Sequence, residues 1–184
     1  MPFSGSLAPQ RMQTTFSGNF NSDFSKCMGV YVLKRVQNLP LSLDQAWDFF
    51  ATPANLKAIT PAYMGFEMLS DSGSGKMYPG QLISYYIKPF PGMRFFWLTE
   101  ITHVNDRHYF IDEQRSGPYA FWHHTHFFKE IKDGVEMTDL VHYQLPFGLL
   151  GRLVHTLVVK RRLKEIFDFR AEVLISRFGP FPAS

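Results

Sequence analysis

Residues 106–153 read DRHYFIDEQRSGPYAFWHHTHFFKEIKDGVEMTDLVHYQLPFGLLGRL. Three segments of this stretch, Arg107–Gln114, Trp122–Lys132 and Val135–Leu145, alternate apolar and polar residues with the period of two that marks a half-buried strand. Asp133-Gly134 suits a type I′ hairpin turn, and Pro146-Phe-Gly148 breaks the last strand. A long amphipathic helix starts directly afterwards. Polar residues recur on the strand face that should be apolar. A sheet that feeds a terminal helix and keeps polar groups inside points to a ligand cavity.

Upstream, the same alternation predicts strands over Phe66–Ser70, Gln81–Lys88 and Arg94–Val104, with Asn105-Asp106 as a two-residue turn into the next strand. A first strand covers Tyr31–Leu39. Ser42-Leu-Asp-Gln45 is a capping box and opens a helix carrying Ala46, Trp47, Phe49 and Phe50. Thr52-Pro53 starts a second short helix that runs to Ile59 and stops before Pro61. The terminal helix is expected from Leu149 to about Ser176. Leu149, Leu153, Thr156, Leu163, Phe167 and Leu174 form one stripe, with Leu150, Val154 and Leu157 beside it. Residues 1–28, rich in Ser, Gly, Asn, Gln and Phe without periodicity, are expected to be a flexible N-terminal arm; residues 29–184 form a single domain. The economical arrangement is an α+β fold. A curved antiparallel sheet of about seven strands wraps around the C-terminal helix, and two short helices close one end.

The 184 residues suffice for one domain with a sizeable core. Aromatics reach 16%, including 19 Phe, which suits either a packed core or a pocket for apolar ligands. The formal charge of +3 is mild, and the basic run Lys160, Arg161, Arg162 and Lys164 lacks the interleaved aromatics of a single-strand binder. Nucleic acid is therefore not an expected partner. Peripheral contact with a membrane through Arg161 and Arg162 stays open. Cys27 is the only cysteine, which excludes an intrachain disulfide and a cysteine zinc site. No apolar run is long enough to span a bilayer and no secretory pattern opens the chain, so a cytoplasmic location is the simplest expectation.

Strand register follows from the turns. It places Thr99 opposite Asp112, Asp112 opposite His124, and His124 opposite Tyr143, one polar row across the inner face. Trp97, Phe110, Gln114, Trp122, His126 and Phe128 share that face, and Asp139 also points inward. Buried unpaired, such groups are costly. They form a satisfied internal network, orient a ligand, or do both. His-x-His on a strand puts both rings on one face, so His124, His126 and an aspartate are also a conceivable metal set, although that spacing is common by chance. The sequence calls for no metal and no other cofactor. It contains no nucleophile elbow, no His-Glu-x-x-His and no phosphate loop.

Several pieces together resemble the SRPBCC (START / birch-pollen-allergen-like) superfamily, in its bacterial polyketide-cyclase-like branch. They are Trp97-x-Thr-Glu-Ile101, Phe110-Ile-Asp-Glu-Gln114, Gly117-Pro118, Trp122-x-His124-x-His126-x-Phe128, Asp139-x-Val-x-Tyr143 and Pro146-Phe-Gly148. The resemblance covers about residues 29–178 and implies the helix-grip fold with a deep hydrophobic cavity between sheet and C-terminal helix. Relatives bind lipids, sterols, polyketides or quinones, and a few are cyclases or hydrolases. The leading expectation is a binding or carrier protein for a small hydrophobic molecule, more plausibly than an enzyme. Trp97, Phe110, Trp122, Phe128, Leu153, Leu157 and Phe167 would wall the cavity, and Thr99, Asp112, Gln114, His124, His126 and Tyr143 would orient a polar group. The alternative is a cyclase or dehydratase with Asp112 and His124 as its acid–base pair.

Overall fold

The structure is a computed structural model that describes residues 29–72, 75–90, 92–148, 151 and 155–182. The expected N-terminal arm lies outside these residues, as do most of residues 149–154, including Leu153.

Seven strands form one antiparallel sheet. They are β1 (Tyr31–Leu39), β2 (Glu67–Asp71), β3 (Gln81–Phe90), β4 (Met93–Asn105), β5 (Tyr109–Ser116), β6 (Phe121–Ile131) and β7 (Gly134–Gln144). Strands β2 to β7 pair in sequence order as a meander, and β1 closes the far side against β7. Alternation governs which face is buried. Along β7, Val135, Met137, Asp139, Val141 and Tyr143 turn inward while their neighbours stay half-exposed.

The inner face is covered by helix α2 (Lys160–Phe178), which buries Leu163, Phe167 and Leu174. Helix α1 (Leu43–Phe50) closes one end. Its capping box forms as the sequence predicts: Gln45 N donates to Ser42 Oγ at 3.2 Å, and Ser42 N donates to Gln45 Oε1 at 3.0 Å. Trp47, 2% exposed, stands edge-on to Phe110 and Phe128 at 6.0 and 5.5 Å. Truncating an aromatic so enclosed costs about 3–5 kcal/mol. Two 3₁₀ segments, Pro53–Ile59 and Ala62–Met64, carry the chain from α1 to β2. This architecture is the helix-grip fold.

Register departs from expectation at two turns: by three residues at β4–β5, reduced to two beyond a bulge between Ile101 and His103, and by two residues at β6–β7, so inner and outer faces survive at the site. The β4–β5 turn holds three residues: Asn105 pairs with Tyr109, and Arg107 adopts φ 60°, stabilised by an ion pair to Asp44. Thr99 therefore faces Gln114, and Ile101 faces Asp112. The β6–β7 turn is Lys132-Asp133, with Ile131 opposite Gly134. Gly134 has a different reason for being glycine than a type I′ turn, because a Cβ there would lie 2.1 Å from the Leu39 carbonyl oxygen. His124 thus faces Val141, and Trp122 faces Tyr143. The Asp112–His124 pairing across β5 and β6 stands as predicted.

Ahead of α2, residues His155–Val159 form a π-helical turn. The wider turn resets the helical phase. His155, Val159, Leu163, Phe167 and Leu174 are buried, while Leu157 is 66% exposed. Leu157, expected beside the stripe and in the cavity wall, faces solvent and does not wall the interior.

Candidate functional site

Between the inner face of the sheet and α2 lies a cavity of about 500 Å³, within the roughly 300–1,000 Å³ typical of small-molecule pockets. Its wall is mainly apolar and aromatic, with Ile83, Trp97, Phe110, Trp122, Leu163 and Phe167 among its residues. Trp97 and Trp122 meet edge-to-face at 5.3 Å, and Tyr119 packs against both. The charged side chains in the lining are Asp112, Arg162 and Arg170, with His124 and His126 beside them.

These groups build a compact buried network on the middle of the sheet. Strand β6 projects His124 and His126 inward, β5 supplies Asp112, β7 supplies Asp139, and α2 supplies Arg170. The two imidazoles lie with centroids 3.7 Å apart. His124 Nε2 is 2.9 Å from Asp139 Oδ1 and its Nδ1 is 3.2 Å from Asp112 Oδ2. His126 Nε2 is 2.9 Å from the same Asp112 oxygen. His126 Nδ1 lies 2.8 Å from Asp139 Oδ1 without the alignment of a hydrogen bond. Arg170 Nη1 donates to Asp139 at 3.5 Å, with the guanidinium 4.9 Å from the Phe167 ring centre.

Burial pulls each of these pKa values one way and the partners pull the other. Burial alone would raise Asp112, but the charge of His124 and hydrogen bonds from both histidines outweigh it and hold the carboxyl below its usual range. Asp139 is held well below its usual value against the same burial, by the hydrogen bond from His124, the close approach of His126 and the charge of Arg170. For His124, desolvation would lower the pKa, yet Asp112 and Asp139 push it up to about 9. At neutral pH the network sets two carboxylates against the His124 imidazolium and the Arg170 guanidinium, with the His126 ring between them. Burial also raises Tyr85, whose phenol stays protonated and shares a 3.2 Å hydrogen bond with Thr99 Oγ1.

Asp112, His124 and His126 could each offer a ligating atom to a metal, all within 4.8 Å of one another. Chemistry argues for protons instead. A metal would have to displace the proton that two carboxylates hold on His124.

Among the expected site residues, Trp97, Thr99, Phe110, Asp112, Trp122, His124, His126 and Phe167 line the cavity. Phe128 lies deeper, in the core around Trp47. Gln114 does not line the cavity: its Nε2 donates to Tyr119 O at 2.7 Å and its Oε1 accepts from Tyr119 N at 3.2 Å. It clamps the β5–β6 turn and thereby fixes Tyr119 in the wall. Tyr143, expected to orient a ligand, does not line the cavity. Its hydroxyl meets His155 Nε2 at 2.9 Å, and the His155 ring stacks on Tyr31 at 3.4 Å. Sequence reasoning missed His155 and Arg170. Arg170 sits seven residues after Leu163 and three after Phe167, on the inward face of α2, and that spacing was a signal for it. His155 gave none, because the π turn decides its direction.

No protein-family model matches the sequence, and no curated protein matches it. Solved structures do match in fold. A protein of Chromobacterium violaceum aligns with a TM-score of 0.62 at 10% identity, over 82% of this chain and 99% of its own. Ara h 8.0201 aligns at 0.54 and 18% identity, over 80% and 99% respectively. The major latex-like protein 151 of Panax ginseng aligns at 0.58 and 8% identity, over 82% and 99%. At these identities the likeness is one of fold, and it agrees with the resemblance to the SRPBCC superfamily.

Proposed function

We propose that this protein binds and carries a small, largely apolar molecule in the cavity between sheet and α2. The observation that carries the proposal is an aromatic-walled cavity of about 500 Å³ in which Asp112, His124, His126 and Arg170 form one buried polar network. An apolar body gains by leaving water for such a wall, at roughly 25 cal/mol per Å² buried, while the network gives its polar end a fixed place. The resemblance noted in the sequence implies the same kind of ligand.

The cyclase or dehydratase alternative fares less well. A general base works best with a pKa near the working pH. Asp112 is held below the ordinary carboxylate range, and His124 is held protonated to about 9, so neither is poised to accept a proton from a substrate near neutrality.

The test is binding of Nile red, a neutral environment-sensitive dye, to the wild type and to Leu163→Trp. Leu163 is 5% exposed and lines the cavity, so the larger ring occupies the space. Saturable binding by the wild type and at least tenfold weaker binding by a folded Leu163→Trp are expected. Equal binding by both contradicts the proposal.

A further inference from the structure

Among the described residues, four buried side-chain atoms lack a hydrogen-bond partner: Nε of Arg35, Nε1 of Trp97, Nδ1 of His126 and Nε of Arg170. All are nitrogens, and Trp97, His126 and Arg170 line the cavity. The tryptophan and arginine nitrogens can only donate. Trp97 is 6% exposed and the Arg170 side chain 11%, and a donor so enclosed is costly when nothing accepts from it. The cavity's unmet need is therefore for acceptors.

The charges point the same way. Three basic side chains, His124, His126 and Arg170, share two carboxylates. Asp139 is already taken by both imidazoles at 2.9 and 2.8 Å, which leaves Arg170 its 3.5 Å contact. The Tyr85 hydroxyl, kept protonated by burial, lies in the same lining and its only acceptor contact here is the Thr99 hydroxyl. A cationic ligand would have to compete for Asp112 with the two imidazoles already on it. A ligand with an anionic oxygen head would give Arg170 an acceptor beyond its 3.5 Å contact with Asp139.

We propose that the ligand is an acidic apolar molecule, a carboxylic acid on an aliphatic or aromatic body, whose carboxylate is received by Arg170 and whose acceptor oxygens satisfy the cavity's orphan donors. This rests on the carrier reading above and narrows it to a class. Arg170 offers a planar fork that fits a carboxylate better than a point charge would. Its hydrogen bonds to an ionised acceptor are of the charge-assisted kind.

The experiment is displacement of Nile red at pH 7.5 by two matched series: dodecanoic acid, methyl dodecanoate and dodecan-1-ol, then 2-naphthoic acid and its methyl ester. In at least one series the acid is expected to bind roughly tenfold or more tighter than its ester, the discrimination a charge-assisted hydrogen bond supplies. Arg170→Met should shrink that ratio to about threefold or less, and Arg170→Lys should leave an intermediate ratio. The wild-type ratio alone is decisive if Arg170→Met does not fold. In both series, a neutral analogue that binds as tightly as its acid overturns this inference and leaves the carrier reading intact. An acid preference unchanged in a folded Arg170→Met overturns the assignment to Arg170. Nile red bound but displaced by no compound also overturns the inference. Binding of neither dye nor any compound overturns both.

Discussion

Replacing Asp139 by asparagine tests the buried network most sharply. The substitution keeps the shape of the side chain and removes one charge. Asp139 is 6% exposed and faces His124, His126 and Arg170 at 2.9, 2.8 and 3.5 Å. A unit pair 3 Å apart attracts by about 5 kcal/mol at an effective dielectric near 20. Not all of that is lost, because His124 can release its proton and asparagine still accepts one hydrogen bond. Breaking a buried pair from one side costs about 3–5 kcal/mol, and the lower end applies here. For a chain of this size each kcal/mol moves Tm by about 2–4 °C, so a fall of about 10 °C is expected at pH 7. Thermal denaturation followed by circular dichroism measures it. Combining Asp139→Asn with Arg170→Met should show a coupling of at least about 1 kcal/mol, since the two side chains share a contact. A Tm within about 2 °C of the wild type, or strictly additive effects, would refute the closed network.

Other expectations follow from the same contacts. His124, at about 9 in the fold against an ordinary value of 6.5, contributes stability that is full below about pH 6.5 and lost as pH rises through about 9. Asp112 and Asp139, held below their ordinary 3.8, contribute above about pH 4 and lose that contribution in acid. Urea midpoints should therefore plateau between about pH 4 and 6.5 and decline on both sides; a midpoint still rising at pH 9 would contradict the assignment. Gly134→Ala should destabilise by about 2 kcal/mol or more, because its Cβ would press on the Leu39 carbonyl at 2.1 Å and part β1 from β7; an unchanged urea midpoint would show that the strands yield freely. Tyr143→Phe removes the hydrogen bond to buried His155 and should cost about 1–2 kcal/mol while leaving Nile red affinity unchanged, since Tyr143 does not line the cavity. Loss of dye binding in a folded Tyr143→Phe would put that residue back in the site.

The inner face of the sheet was legible because strand periodicity is two. Asp112, His124 and His126 fell together because the β5–β6 register was as expected. The β4–β5 error of three residues at the turn was cut to two by a bulge that kept the inner face inward. Pairing itself was less legible, because it depends on turn conformations such as the positive φ of Arg107, which an Asn-Asp dipeptide does not announce. The same holds for Gly134, whose glycine answers the approach of β1, a contact from far away in sequence. Leu157 was misplaced because it was counted with the buried residues although six positions before Leu163 it lies about 120° round the helix from that residue, and it is exposed. Gln114 and Tyr143 were rightly taken as polar groups on the inner side of their strands, but their partners, the Tyr119 backbone and His155, emerge only in three dimensions.

Native mass spectrometry of freshly purified protein, followed by organic extraction of whatever is bound, tests the carrier claim most directly. A discrete adduct that extracts as an apolar acid is the predicted result. Bare protein that also fails to take up Nile red would contradict it and leave the Asp–His–Arg network as internal structure alone.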